Sequence, residues 1–388
     1  MTVLALVLLL APLFFLVYAY IGYPLLLRIL TSWRPSAPPA AGFERWPMIS
    51  ITVPCYNEEA SIAATLESLL ALDYPADRRQ ILVVSDASTD RTEEIVRGFA
   101  SRGVELLAMP ERKGKTAIEN AAGRVVRGDI VVNIDATIRV RPKSLKALIA
   151  AFQDPTVGVA SGRDVSVGAE EAEGNTAESG YVGYEMWVRS LETRLGSIVG
   201  ASGCFYGFRR EIHDTSFPEA LSRDFACALM AREHGLRAVS VDDAVCVVPR
   251  APALRAEFRR KIRTMARGLE TLWFKRHLMN PFRYGGFALM LISHKLCRWL
   301  VYLLLPTALL GLVVLSIAHP VARVLLGVTI VGIAMGTIGM RWPANRRVPR
   351  VFALPGFLLA SNLAGFLAWV KVMRGERNVL WEPTRRAA

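Results

Sequence analysis

The sequence is poor in the residues that build disulfide or metal frameworks. Its five cysteines (Cys55, Cys204, Cys227, Cys246, Cys297) form no Cys-x-x-Cys pair, and its five histidines lie too far apart to complete a zinc site. That odd, scattered count excludes a disulfide-stapled domain and suits reduced thiols. There is no G-x-G-x-x-G fingerprint and no P-loop, which weighs against a dinucleotide enzyme or an NTPase. Charge is missing altogether from Met1–Leu27. Internal repeats are absent, and no low-complexity tract exceeds the short stretch Ser36–Gly42.

What is present is apolar and basic. The 388 residues are 52% hydrophobic and carry a net charge of +13, with a mean hydropathy of +0.31. A disordered chain is not this apolar, and a soluble nucleic-acid binder is not this hydrophobic. The charge is also unevenly placed. Residues 1–249 hold 25 bases and 30 acids, a net of −5. Residues 250–298 hold 12 bases and 2 acids (+10), residues 341–388 hold 9 and 2 (+7), and Arg323 stands alone between them. Bases flanking apolar runs mark the cytosolic face of a membrane, so no nucleic-acid partner is expected and the lipid bilayer is.

Met1–Leu27 exceeds the roughly 20 residues needed to cross a bilayer and lacks the basic start and short apolar core of a signal peptide. An uncleaved anchor over 1–30 is expected, with a linker over 31–47. Arg28 and Arg34 place the domain that follows on the inner side. Three further uncharged runs, Trp299–Ala318, Val324–Met340 and Val351–Val370, fall within a C-terminal membrane region over 284–373. Four crossings would leave the basic tail, 374–388, outside. A re-entrant Val351–Val370, interrupted by Pro355, Ser361, Asn362 and Gly365, would keep it inside. Before these runs, Phe258, Ile262, Met265, Leu269 and Leu272 recur at helical spacing, with Arg259, Arg263 and Arg267 on another face. The pattern predicts an interfacial amphipathic helix within 251–283.

Residues 48–250 read as an α/β domain. Strands are expected at Ile49–Pro54, Gln80–Ser85, Val104–Met109, Asp129–Ile134 and Val157–Ala160, and helices at Ser61–Leu72, Asp90–Ala100, Thr116–Val126 and Ser144–Phe152. Such alternation implies a mostly parallel sheet covered on both faces, with ligands beyond the carboxyl ends of its strands. The residues just after those strands are polar and acidic: Pro54-Cys-Tyr-Asn-Glu58, Ser85-Asp-Ala-Ser-Thr-Asp90 and Asp135-Ala-Thr137. Taken singly, an acid after a strand is more often a helix cap than a ligand. Glu185 and Glu192 share a helix face and read as ion-pair partners for arginines such as Arg189. Tyr181, Tyr184 and Trp187 read as either packing residues or a groove lining.

Taken in order, the segments ITVPCYNEEASI (51–62), VVSDASTDRT (83–92), GKTAIENAAG (114–123), VVNIDAT (131–137), GASGCFYGFRRE (200–211), SRDFACALMAREHG (222–235) and EFRRKIRTMARGL (257–269) resemble the membrane-bound family 2 glycosyltransferases of GT-A fold. That family includes the cellulose, chitin and hyaluronan synthases and bacterial exopolysaccharide transferases. The resemblance spans roughly residues 48–300. It implies a GT-A sheet flanked by helices between N-terminal and C-terminal transmembrane helices. It further implies that Tyr56, Glu58 and Asp86 hold the nucleotide, that Lys115 lies near its diphosphate, and that Asp135 binds the nucleotide-sugar and its Mg2+ or Mn2+. By the same resemblance Gly203 belongs to the acceptor-side loop, Asp224 is the general base of an inverting transfer, and Arg263 steadies the departing diphosphate.

Three positions depart from the family pattern. Thr137 stands for the second Asp of the DxD motif, Arg223 for the acid before Asp224, and Arg260-Lys-Ile-Arg-Thr264 for QxxRW. These point away from a processive synthase. The expectation is an inner-membrane, multi-pass enzyme of a bacterium, its catalytic domain cytoplasmic. It would move a sugar from a nucleotide-sugar, UDP-linked by resemblance, to a glycan or lipid-linked acceptor in exopolysaccharide or envelope-glycan synthesis. The alternative is a catalytically degenerate subunit that binds nucleotide or glycan and supports a partner export or synthase subunit.

Overall fold

The computed structural model describes residues 2–34, 43–167, 176–213, 216–249, 254–343 and 348–376. The expected linker Ser36–Gly42 and most of the basic tail lie outside the described residues.

A single eight-stranded sheet forms the middle of the molecule, in the order β3-β2-β1-β4-β7-β6-β8-β5. Its strands are β1 (Ile49–Cys55), β2 (Arg79–Ser85), β3 (Val104–Ala108), β4 (Ile130–Ile134), β5 (Arg139–Val140), β6 (Val157–Val167), β7 (Phe205–Arg209) and β8 (Arg237–Pro249). Pairings β1–β2, β1–β4, β2–β3 and β6–β8 are parallel, whereas β4–β7, β6–β7 and β5–β8 are antiparallel. The sheet is thus mixed, with a parallel half that matches the expected strands to within a residue or two. β5, β7 and β8 are additions to the expected set. Their apolar runs are short or interrupted, and they pair only through long-range contacts.

Side chains alternate across the sheet with the two-residue period of a strand. Ile81 and Val83 face a core shared with Leu66, Leu69, Leu145 and Leu148, from the helices α3 (Ile62–Leu70) and α6 (Ser144–Ala150). Leu82 and Val84 face the other core, with Ile118 of α5 (Lys115–Ala122) and Ala226, Cys227, Met230 and Ala231 of α8 (Arg223–Glu233). The helix α4 (Thr92–Gly98) opens with Glu93 and Glu94 in its first turn, where acids complement the helix dipole.

Two long helices connect this domain to the apolar segments. α7 (Thr176–Leu195) is buried along one side, and α9 (Leu254–Phe274) packs on the last apolar helix. The predicted amphipathic stripe on α9 is covered by protein. Met265 and Leu269 pack on Ala368 and Trp369 of α14 (Arg350–Met373), while Leu272 packs with Phe225 and Leu291.

Among the described residues, four helices are long and apolar enough to cross a membrane: Thr2–Ser32, Gly286–Ala318, Pro320–Met340 and Arg350–Met373. The first runs through α1 (Thr2–Val17), a π-helical turn at Tyr18–Gly22 and α2 (Tyr23–Ser32). A short α10 (Pro281–Tyr284) precedes the second, which comprises α11 (Gly286–Leu291), a π-helical turn at Ile292–Cys297 and α12 (Arg298–Ala318). The third is α13 (Pro320–Met340). Their outer faces expose residues such as Leu4, Phe14, Val324 and Val331. The re-entrant alternative for Val351–Val370 is not formed. α14 is one continuous helix of 24 residues, about 36 Å at 1.5 Å per residue. Pro355 falls in its second turn, where little of the backbone ladder is lost.

A buried charge cluster locks α7 to the apolar helices. His294 places Nδ1 2.6 Å from Glu192 Oε1 and Nε2 2.9 Å from Glu185 Oε1. Arg298 donates to Glu185 Oε2 at 2.7 Å, and the Tyr23 hydroxyl donates to Glu192 Oε1 at 2.6 Å. Arg189 lies 3.7 Å from Glu185, so the expected pairing is present, but His294 and Arg298 are the closer partners. Tyr184 hydrogen-bonds to the backbone carbonyl of Tyr20 at 2.9 Å and stacks near its ring. It belongs to this packing rather than to a groove.

Candidate active site

Beyond the carboxyl ends of β1 and β4 lies a pocket of about 290 Å3 lined by Glu58, Lys115, Asp135, Gly203, Asp224 and Arg263, together with Glu119, Asp164, Arg260 and Arg267 among others. Six of the eight residues expected at the site therefore meet in one cavity. Tyr56 and Asp86 stand outside its lining.

Asp86 is fully buried, and its two carboxylate oxygens accept the backbone N–H groups of Lys113 (2.7 Å) and Gly114 (2.9 Å). These bonds fix the entry to α5, where Gly114 adopts φ +95° at the N-cap, a left-handed conformation that favours glycine. Lys115, the next residue, is thereby aimed into the pocket. Its ammonium donates to Asp135 Oδ1 at 2.7 Å and lies 3.4 Å from the Gly203 carbonyl. Burial disfavours the charged lysine, but the carboxylates of Asp135, Glu119 and Asp224 more than offset this and raise its pKa above the ordinary 10.5.

Tyr56 and Glu58 sit on the loop after β1. That loop is tied to the one after β2 by Asn57, whose side-chain carbonyl accepts the Thr89 N–H at 2.8 Å, and by the Glu58 N–H, which donates to Thr92 Oγ1 at 2.8 Å. The Arg112 guanidinium lies 3.8 Å from the centroid of the Tyr56 ring, a close cation–π contact. Arg112 went unnoticed in the sequence because it lies in no strand or helix pattern.

Asp224 occupies the first turn of α8. One of its oxygens accepts the Phe225 N–H at 2.8 Å and the Ser222 hydroxyl. A Cβ built on Gly203 would fall 2.5 Å from its other oxygen. Arg223, in place of the family's acid, turns into the protein. It bonds to Asn120, lies 3.8 Å from Glu119 and stacks 5.2 Å from the Phe217 ring. The replacement thus binds α8 to α5.

On the opposite wall, α9 contributes Arg260, Arg263 and Arg267. Arg267 donates to Thr116 Oγ1 at 2.7 Å. Arg259, part of the expected stripe, is exposed and outside the lining.

Two pocket carboxyls were missed by sequence reasoning. Glu119 is buried and its pKa is raised, with burial the main cause. Its spacing of four from Lys115 on one helix was the available signal. Asp164 on β6 has Ser202 Oγ 2.7 and 2.8 Å from its two oxygens, and its carboxyl is also pushed up, chiefly by burial. It follows a buried strand segment in the sequence and carries no local motif.

Among the described residues no group of three or more His, Cys, Asp or Glu side chains could hold a metal ion. Asp135 presents one carboxylate with Oδ1 on Lys115, and Thr137 lines the same pocket. That donor set fits a hard divalent cation carried largely by substrate phosphate oxygens and water, the usual mode for Mg2+. It does not fit a cage made of protein alone.

A mixed α/β sheet with clustered cations and carboxylates beyond its strand ends, mounted on membrane-length helices, defines a GT-A-type domain. Over 97% of this chain and 99% of the other, the structure superposes on the mannosyltransferase PcManGT from Pyrobaculum calidifontis, solved in complex with GDP-Man and Mn2+. The TM-score is 0.71 at 23% identity, so the two share a fold. Residues 50–217 match the family model "Glycosyl transferase family 2"; this segment is a family 2 glycosyltransferase domain. An N-acetylglucosaminyltransferase of Rhizobium sp. (strain N33) is 25% identical over 261 residues, covering 61% of this chain and 57% of that protein. A beta-monoglucosyldiacylglycerol synthase of Nostoc sp. is 27% identical over 173 residues, covering 44% and 37%. The match spans little over half the length of the first relative and less of the second.

Proposed function

We propose that this chain is an inverting glycosyltransferase that moves a sugar from a nucleotide-sugar, UDP-linked in our reading, to a glycan or lipid-linked acceptor at a bacterial inner membrane. Its catalytic domain would face the cytoplasm. The observation that carries this reading is the composition of the pocket. Lys115 and the arginines of α9 line it together with the carboxylate of Asp224, which pairs an anionic leaving group with a general base.

In this mechanism Asp224 takes the proton of the acceptor hydroxyl as that oxygen attacks the anomeric carbon. The bond from that carbon to the diphosphate oxygen breaks, and inversion follows from the single displacement. Lys115, Arg263 and Arg267 stabilise the charge that grows on the diphosphate. Tyr56, with Arg112 behind its ring, and the loop anchored by Asp86 would receive the nucleotide, and Glu58 would close that side. Asp135 would hold a divalent cation, Mg2+ or Mn2+, which when bound supplies further charge neutralisation to the diphosphate. Gly203 leaves room for the acceptor beside Asp224. Curated relatives named for N-acetylglucosamine and glucosyl-lipid synthesis support a hexose or N-acetylhexosamine donor.

The reading is tested by incubating the purified full chain with a panel of nucleotide-sugars, Mg2+ or Mn2+ and membrane lipids, and following release of nucleoside diphosphate. Release that Asp224→Asn abolishes supports the enzyme. No release with any donor would favour the alternative, a nucleotide- or glycan-binding subunit serving a partner synthase.

A further inference from the structure

A second cavity, of about 1190 Å3, shares no residue with the sugar pocket. It opens beside α2, the final stretch of one membrane-length helix, and α11, the first stretch of the next. Both π-helical turns border it, through Tyr18 and Ser293, whose hydroxyls are 2.7 Å apart. Its position is therefore where two apolar spans end, the level at which lipid headgroups sit.

The lining is amphiphilic and of one charge sign. Leu26, Leu30 and Trp33 form an apolar wall whose side chains are exposed, and Phe282 projects fully into solvent at the rim. Four arginines (Arg34, Arg232, Arg237 and Arg283) line the rest, and among the described residues no aspartate or glutamate does. Two of the four are engaged: Arg237 with Asp154 at 3.2 Å, and Arg34 with the Leu195 carbonyl at 3.0 Å. Arg232 is the telling one. Its Nε is buried without a hydrogen-bond partner, and its guanidinium rests over the Phe287 ring at 5.9 Å with no described carboxylate beside it. A partly buried cation without a counter-charge is costly, and an anion arriving from outside would remove that cost.

We propose that this cavity binds one anionic phospholipid, its phosphate held between Arg232 and Arg283 and its acyl chains laid along Leu26 and Leu30. A basic pocket between membrane helices attracts acidic headgroups, and the apolar wall selects a phosphate that carries acyl chains over a free one. The volume exceeds the roughly 300–1,000 Å3 typical of small-molecule sites, as an acyl-bearing ligand requires. This site is separate from the proposed transferase chemistry.

The test uses the full chain purified in neutral detergent and offered phosphatidylglycerol, phosphatidylcholine or inorganic phosphate. Native mass spectrometry reads retained lipid, and thermal unfolding reads stabilisation. One phosphatidylglycerol should survive washing and raise the unfolding temperature, while phosphatidylcholine and inorganic phosphate do neither. The double substitution R232Q/R283Q should weaken phosphatidylglycerol binding by about 10- to 30-fold. R283Q alone, at an exposed position that leaves folding intact, should weaken it by about fivefold. Asp224→Asn should retain the lipid unchanged. Equal retention of phosphatidylcholine, stabilisation by inorganic phosphate alone, no retained lipid in the native chain, or undiminished binding in R283Q would each overturn the proposal.

Discussion

The carboxylate of Asp224 lies where a side chain at residue 203 would begin, since a Cβ on Gly203 would come within 2.5 Å of Asp224 Oδ2. The glycine is thus required by the position of the proposed base rather than by any turn. The contact is with the end of a side chain, so a methyl group there displaces the carboxylate more readily than the backbone.

Gly203→Ala should therefore lower sugar transfer by about 10- to 100-fold, since an ångström of misplacement can cost that much. Its unfolding temperature should stay close to that of the native chain. Steady-state release of nucleoside diphosphate beside a thermal melt checks both; a strongly lowered melt would place the role of Gly203 in folding.

Asp224→Asn keeps an oxygen that can accept the Phe225 N–H and the Ser222 hydroxyl, so α8 should remain capped. The amide cannot take a proton. Turnover should fall by about 10²–10⁴, the usual contribution of general-base catalysis, with donor KM changed little. Turnover within twofold of native would assign the base elsewhere.

Lys115→Met should raise donor KM and lower kcat/KM while sparing binding of an uncharged acceptor analogue. Because the neighbouring carboxylates raise its pKa, Lys115 keeps its proton through neutral and mildly alkaline solution. Donor affinity should accordingly stay level from about pH 7 to about pH 10, as read by titration calorimetry. A fall centred in that window would contradict the assignment.

Arg298→Met should destabilise the chain by about 1–3 kcal/mol, because it leaves Glu185 Oε2 without its buried donor while His294, Lys295 and Arg189 remain beside the carboxylate. The same cluster sets an acid limit. Burial raises the pKa of Glu185, yet His294, Lys295 and Arg298 together hold it well below the ordinary 4.5. A depressed folded-state value gives stability that is complete above about pH 4.5 and is lost as the pH falls through the lower folded value. Detergent-solubilised protein should melt progressively earlier below that point, and Glu185→Gln should flatten the dependence.

The parallel half of the sheet was legible because each strand is a compact apolar run followed by polar residues, and the helices between carry regular spacing. The antiparallel β7, with Phe205–Arg209 paired to Ile130–Ile134, was not, since its pairing is fixed by residues some 70 positions away. Lys115, Asp135, Asp224 and Arg263 were legible as members of an ordered motif set. Glu119 and Asp164 were not, because their presence in the pocket depends on which way α5 and β6 face. The interrupted composition of Val351–Val370 allowed a turn, yet α14 runs through it as one continuous helix and packs on α9.

The chain's composition alone determined that it carries helices apolar enough to cross a membrane, an acidic folded domain and basic collars, because hydropathy and charge are local properties summed along the sequence. The order of its motifs likewise identified the domain. Tertiary structure decided what the collars touch. It turned the arginines of α9 toward the pocket that holds Asp224, buried His294 and Arg298 against two glutamates of α7, and gathered Arg232 and Arg283 around a second cavity. Those outcomes depend on contacts between distant segments, and no local pattern encodes them.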